Sequence, residues 1–248
     1  MSLPEVVSRE QWREARRALL VKEKAFTRQR DALSTERRML PMVRVEKDYV
    51  FEGPSGQASL LDLFAGARQL MLQHFMFDPR WDEGCPSCTA SVEELSEGYL
   101  SHLRARETAY AAVSRAPIEK IEAYRDKHGW TIPWYSSFGS DFNYDYHATI
   151  DPAVAPVEYN YRDADELRAA GMGWMVDGEH PMEQPGVSFF LRDGEAIFHT
   201  YSVYARGTEA LGGAYAALDL TALGRQEEWE EPKGRADNPH ESLPSFTS

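Results

Sequence analysis

Apolar residues Trp12, Leu19, Phe26 and Leu33 recur every seven positions between Ser8 and Arg38, separated mostly by charged side chains. That spacing predicts one amphipathic helix, or two joined end to end, carrying a narrow apolar stripe. Pro41 ends it, because proline cannot continue a helix. The stripe reads first as a face that packs on the same chain and second as the seam of a homodimer.

Beyond the helix the period changes. Met42 to Phe51 alternates loosely and runs into Gly53-Pro54-Ser55-Gly56, a strand followed by a turn. Ser59 is placed to cap a short helix through Phe64. Gln69 to Phe77 is nearly continuous apolar sequence of strand length, as expected of a central strand covered on both faces. A polar loop, Asp78 to Gly84, leads to Cys85-Pro86-Ser87-Cys88, and from there Val92, Leu95, Tyr99 and Leu103 follow helical spacing. Tyr110 to Val113 reads as a strand, Ile118 to His128 as a helix entered through Pro117 and stopped by Gly129, and Thr131 to Ser136 as another strand. The sum is a parallel βαβαβ pattern.

Residues 139–185 are aromatic-rich and irregular, with one short helix near Asp165 to Ala170, and read as an insertion. Val187 to Leu191 and Ala196 to Val203, joined across Arg192-Asp193-Gly194-Glu195, form an antiparallel hairpin. Thr208 to Leu218 is the expected last helix. The organisation is therefore a helical extension over 1–41, an α/β domain over 42–224 with its insertion, and an acidic tail over 225–248 expected to be extended or disordered.

Composition narrows the class. The chain has 248 residues, 42% hydrophobic and 27% charged, and no apolar run of the roughly 18 residues a membrane span needs. Its formal net charge of −13 argues against binding to a phosphate backbone, despite the arginines and lysines gathered between Arg13 and Arg38. Met1 to Glu10 lack the apolar core of a secretory signal, so a cytoplasmic protein is expected.

The two cysteines are the whole thiol content, three positions apart at the predicted start of a helix. In a reducing compartment such a pair points to catalysis or metal ligation more than to a structural disulfide. At a helix start, free N–H groups and the helix dipole stabilise a thiolate, which makes Cys85 the expected nucleophile and Cys88 the resolving thiol. Asp82 and Glu83 would oppose that thiolate. The expected partners are a protein or small-molecule disulfide or thiol and an external reductant, with no cofactor. One alternative is a copper or zinc module using Cys85, Cys88 and His199. Another is a non-enzymatic binding protein whose cleft is shaped by Phe142 to His147 and Gly171-Met172-Gly173-Trp174.

Trp12, Leu19-Leu20, Glu23-Lys24, Arg37-Arg38, Leu40-Pro41, Leu60 to Phe64 and Phe75-Met76-Phe77 also form a familiar set. With His199-Thr200-Tyr201-Ser202, Arg206-Gly207, Leu218-Asp219-Leu220 and Gly224-Arg225, the chain resembles a bacterial thioredoxin-like family of unknown function, whose members are often labelled dithiol-disulfide isomerases. The resemblance runs from Pro4 to Arg225 and implies a thioredoxin-like fold, a mixed sheet flanked by helices. More distant similarity is to thioredoxins and peroxiredoxins. Where peroxiredoxins carry a proline and a threonine ahead of the reactive cysteine, this chain has Asp78 and Asp82, which weighs against peroxidase activity. Where thioredoxins carry tryptophan before the first cysteine it has Gly84, with Trp81 further back. The thioredoxin cis-proline corresponds to Pro185 or, one residue on, Gly186. By the same resemblance His199 and Tyr201 are supporting residues on the hairpin.

Overall fold

The structure, a computed structural model, describes residues 3–234 and residue 239. The chain divides into two compact units, one built from the N-terminal segment up to Pro41 and the segment from Ala214, the other from Met42 to Gly213. The sequence placed the end of the α/β domain eleven residues later.

The first unit holds α1 (Arg9–Met39), a single unbroken helix. Ser8 opens it with a capping box: its hydroxyl accepts from the Gln11 N–H, and the Gln11 side chain accepts from the Ser8 N–H. No residue of α1 is buried, and Trp12, Leu19, Phe26 and Leu33 stand exposed.

The second unit begins with β1 (Val43–Arg44), β2 (Val50–Gly53), β3 (Gly56–Ser59), a 3-10 turn at Asp62–Phe64 and β4 (Gln69–His74). The single strand expected over Met42 to Phe51 is thus two, and they sit on opposite sides of the sheet: β1 pairs with the hairpin, β2 with β6. Next come α2 (Pro86–Glu93), α3 (Glu97–Arg104), β5 (Thr108–Ser114), α4 (Ile118–His128) and β6 (Trp134–Ser136). The one helix expected after the dithiol is broken because Ser96 takes an extended backbone and caps α3 through the Tyr99 N–H. The pairs β4 with β5 and β5 with β6 are parallel, as the βαβαβ pattern required.

The segment read as an insertion carries α5 (Phe142–Asp145), β7 (Thr149–Ile150), β8 (Glu158–Tyr159), β9 (Arg162–Asp163), α6 (Ala164–Ala169), α7 (Trp174–Asp177) and β10 (Met182–Glu183). The hairpin is β11 (Gly186–Asp193) and β12 (Ala196–Tyr204). A 3-10 segment, Ala205–Leu211, closes this unit, and the short α8 (Ala214–Leu218) belongs to the first; the sequence had predicted one helix across both. The main sheet has eight strands in the order β1-β12-β11-β4-β5-β6-β2-β3. Helices flank a mixed sheet, and the dithiol-bearing helix follows a central strand that has a parallel neighbour on one side and an antiparallel hairpin on the other. That is the thioredoxin-like arrangement.

Successive β4 side chains point to opposite faces, so the sheet separates two cores. Met71 and Phe75 join Phe77, Cys88, Val92, Tyr110, Ile121, Tyr124 and Trp134 on one face. Leu70 and Leu72 join Phe51, Phe64, Val113, Phe142, Tyr146 and Phe190 on the other. Phe142 and Tyr146 are therefore core residues, and the cleft imagined from Phe142 to His147 is filled by their packing. Within the first unit the expected loose tail also gives way: Arg225 and Glu227 are buried, with Arg225 paired to Asp219 at 2.7 Å and stacked on the Tyr215 ring. The rest of the predicted tail, 235–238 and 240–248, lies outside the described residues.

Candidate active site

Cys85 is the N-cap of α2 and Pro86 its first residue, so the dithiol occupies the first helical turn. The segment after β4 is pinned to that turn by the backbone of one residue, Met76. The Met76 carbonyl accepts from the Cys85 N–H at 3.0 Å, while the Met76 N–H donates to the Cys88 sulfur. Thr89 completes the turn, its N–H and hydroxyl both donating to the Cys85 carbonyl while the hydroxyl also pairs with Tyr124 Oη.

Both cysteines are free thiols and lie 3.9 Å apart. They differ in setting. Cys85 is half-buried, whereas Cys88 is 5% exposed within the aromatic core. A hydrogen bond from the Cys88 thiol is the largest effect on Cys85, and the N–H groups of Cys88 and Ser87 and the Ser87 hydroxyl add to it. Together they outweigh burial and bring the Cys85 pKa down to about 6. Cys88 moves the other way, because it donates that bond and is buried.

Gly84 is buried, and a Cβ there would stand 2.6 Å from the Phe75 ring and 3.1 Å from Tyr124. The chain before the nucleophile is pressed onto the core, leaving no room for the thioredoxin tryptophan. Trp81 packs on the edge of the same core, and Lys120 Nζ donates to the carbonyls of Pro79 and Trp81, fixing the loop. The expected opposition of Asp82 and Glu83 to a thiolate is weakened: Glu83 is drawn to Lys127 at 2.6 and 2.8 Å, and Asp82 is exposed.

The largest feature the sequence reading missed lies in the same loop. Asp78 is 1% exposed and accepts from the Arg80 N–H, the Arg80 guanidinium and Arg115, the last at 2.8 Å. Arg115 also donates to Glu183 on β10 at 2.6 Å, and Glu183 accepts from Thr149. Burial works to raise the Asp78 pKa, yet Arg80 and Arg115 prevail and hold it below the ordinary carboxylate value; at Glu183 burial wins and the pKa rises. One guanidinium thereby bridges two buried carboxylates, with Arg80 as the second cation on Asp78, and ties the dithiol loop, the end of β5 and the inserted segment together. Asp78, Arg115 and Glu183 are far apart in sequence and carry no motif, so only their shared oddity as charges beside apolar runs could have marked them.

The hairpin residues divide. The register of β11 against β12 pairs Phe189 with Tyr201 and Phe190 with His199, so Thr200 is the extra residue of a β-bulge. Tyr201 packs beside Phe189 on the dithiol face. His199 is turned to the opposite face, against Tyr146 and Phe190. This corrects the metal alternative: the sheet stands between His199 and the two sulfurs. Among the described residues no three His, Cys, Asp or Glu side chains are grouped to hold a metal ion. Pro185 is not a cis-proline, since the cis bonds are His180–Pro181 and Glu231–Pro232. Gly186 pairs with His74 and Tyr204, and a Cβ on it would meet the Tyr204 ring at 2.7 Å.

No helix of the described residues is long and apolar enough to cross a membrane. No curated protein matches the sequence. Solved structures similar to this one include a cysteine-to-serine mutant of peroxiredoxin Q from Xanthomonas campestris, at 12% identity, covering 68% of this chain and 89% of that one, with a TM-score of 0.44. A cysteine-to-serine mutant of PrxQ from Xylella fastidiosa has 12% identity, 66% and 84% coverage and a TM-score of 0.40. A Chlorobium tepidum chain described as a thiol:disulfide interchange protein DsbE has 15% identity, 69% and 93% coverage and a TM-score of 0.37. The sequence itself matches one family along residues 1–241, and the chain belongs to that family, described as "Bacterial protein of unknown function (DUF899)".

Proposed function

We propose that the protein is a thiol-disulfide oxidoreductase that works through Cys85 and Cys88. The observation that carries this reading is the opposite treatment of two adjacent thiols: one half-exposed and acidified, the other sealed and kept protonated. A nucleophile must be ionised and reachable, and a resolving thiol must wait.

In the forward step the Cys85 thiolate attacks one sulfur of a substrate disulfide. A Cys85–substrate disulfide forms, the substrate S–S bond breaks, and the leaving sulfur departs as a thiolate. Cys88 then attacks the Cys85 sulfur, the Cys85–Cys88 disulfide forms, and the second substrate sulfur leaves with the proton that Cys88 gives up. An external dithiol or low-molecular-weight thiol reduces the pair again in a reducing compartment such as the cytoplasm. The substrate is a protein or small-molecule disulfide, and two sulfurs suffice without a bound cofactor. Burial of the Asp78–Arg115–Glu183 cluster supports the reading by holding the nucleophile's loop rigid.

The test is reduction of insulin disulfides by the purified chain with a regenerating thiol. Cys85→Ser is expected to be inactive, and Cys88→Ser to accumulate a mixed disulfide on Cys85 visible by mass spectrometry. Full turnover by Cys85→Ser overturns the proposal.

A further inference from the structure

One face of α1 stands open to solvent. Leu19, Phe26 and Leu33 recur every seventh residue, with Trp12 before them and the C-cap Leu40 after, and all five are exposed. The residue ahead of each of the last four is also apolar: Ala18, Ala25, Ala32 and Met39. Between these two rows runs a midline of Ala15, Lys22, Gln29 and Glu36, so the face is about 100° wide. The half-buried residues of α1 are Arg16, Glu23, Ala25, Ser34 and Arg37, four of them polar, so the chain's own cover falls mainly on the other side of the helix.

We propose that α1 is a dimerisation helix, which pairs antiparallel with α1 of a second copy about a two-fold axis at Gln29.

Period and length select that occupant. A strict seven-residue repeat drifts by roughly 20° per heptad around a straight helix, so it holds one line only where two helices supercoil about each other. The stripe therefore fits a helix better than a flat surface. From Ala18 to Leu40 it runs about 33 Å along the helix axis. The longest other helix among the described residues, α4, has 11 residues. Among the described helices, only a second α1 matches the stripe along its whole length.

Charge sets the direction. In a parallel pair each midline residue stands beside its own copy, which sets Lys22 against the partner's Lys22 and Glu36 against the partner's Glu36. In the antiparallel pair Lys22 meets the partner's Glu36 and Glu36 the partner's Lys22, because both lie seven residues from Gln29. The same turn lays Phe26 against the partner's Leu33, and Leu19 against the partner's Leu40, along one flank. Along the other, Ala25 faces the partner's Ala32, and two small side chains let the backbones approach. Apolar area leaves water on both flanks, and the polar midline residues are paired as they are covered. Trp12 lies beyond the paired stretch. Arg13, Arg17, Lys24, Arg28 and Arg38 point away from the seam, where solvent screens them.

The pairing does not involve the dithiol, so its test needs no turnover. Sedimentation equilibrium of the full chain at micromolar concentration is expected to give twice the chain mass. Phe26→Glu, which places two unpaired carboxylates in the seam, should weaken the dimer by on the order of 100-fold. In a chain carrying Cys85→Ser and Cys88→Ser, added cysteines read the geometry, since a disulfide needs Cα atoms within about 7 Å of each other. Under a mild oxidant Gln29→Cys should cross-link to its own copy. Lys22→Cys and Glu36→Cys should each fail alone and cross-link when the two chains are mixed. A monomeric full chain overturns the proposal, as does a dimer untouched by Phe26→Glu. Self-cross-linking of Lys22→Cys marks a parallel pair and overturns it equally.

Discussion

The two faces of β4 do opposite things with polar chemistry. On one, the segment after the strand turns outward, and the reactive sulfur sits at a helix start where N–H groups and a neighbouring thiol can hold its charge. On the other, His74 is the head of a chain of hydrogen bonds that is buried as far as Ser202, ringed by Phe142, Tyr146 and Phe190. The difference teaches that one strand can feed an accessible nucleophile and a buried imidazole, because alternating side chains see different surroundings. Charge is stabilised at Cys85 by donors, and suppressed at His74 by burial.

The largest effect should come from removing the nucleophile. Cys85→Ser is expected to reduce insulin disulfides no faster than the regenerating thiol alone, while its urea unfolding curve stays close to that of the wild type. On the opposite face, Phe142→Ala should cost about 3–5 kcal/mol in urea unfolding by emptying a fully buried site. The alkylation profile of Cys85 should not move in that variant; if it does, the two faces are not separable. Gly84→Ala forces a methyl against Phe75 and Tyr124, and about 1–3 kcal/mol of destabilisation is expected by the same measurement. Unlike Phe142→Ala, it should also displace the Cys85 profile.

Two smaller effects depend on pH. The rate of Cys85 alkylation by iodoacetamide should rise with pH through a midpoint of about 6, and Ser87→Ala should move that midpoint up by about one pH unit by deleting one donor to the thiolate. A midpoint near the ordinary thiol value of about 8.5 would contradict the helix-start account. For His74 the folded pKa lies below the unfolded one, so the unfolded chain binds the proton first. Stability is expected to be full above about pH 6.5 and to decline as pH falls from there toward about 3, read as a falling urea midpoint. His74→Gln should flatten part of that decline.

Much of this was legible from local pattern. The seven-residue repeat of Trp12, Leu19, Phe26 and Leu33 gave α1, and the apolar run from Leu70 gave the central strand. The two cysteines after it gave the helix-start dithiol, because strand, loop and helix are each encoded within a few residues. The break between α2 and α3 was missed although Ser96 signalled it, since Leu95 and Tyr99 keep the helical spacing across the gap. Strand periodicity would put His199 and Tyr201 on one face, and the bulge at Thr200, which no local pattern marks, sends them to opposite faces.

The amino-acid order by itself determined α1, the strands β4, β5 and β6, the helix α4 and the β11–β12 hairpin, that the βαβαβ units are parallel, and that two thiols share the first turn of a helix. Those follow from periodicity, capping and turn chemistry, which act over one or two turns of chain. Only the tertiary structure decided that Cys88 is sealed while Cys85 is reachable, that Gly84 is pressed against Phe75, that Arg115 joins Asp78 to Glu183, and that His74 reaches His199 through two serines. Each depends on residues tens of positions apart meeting in a place without water, where an unmatched donor or charge is costly and partners must be found across the fold.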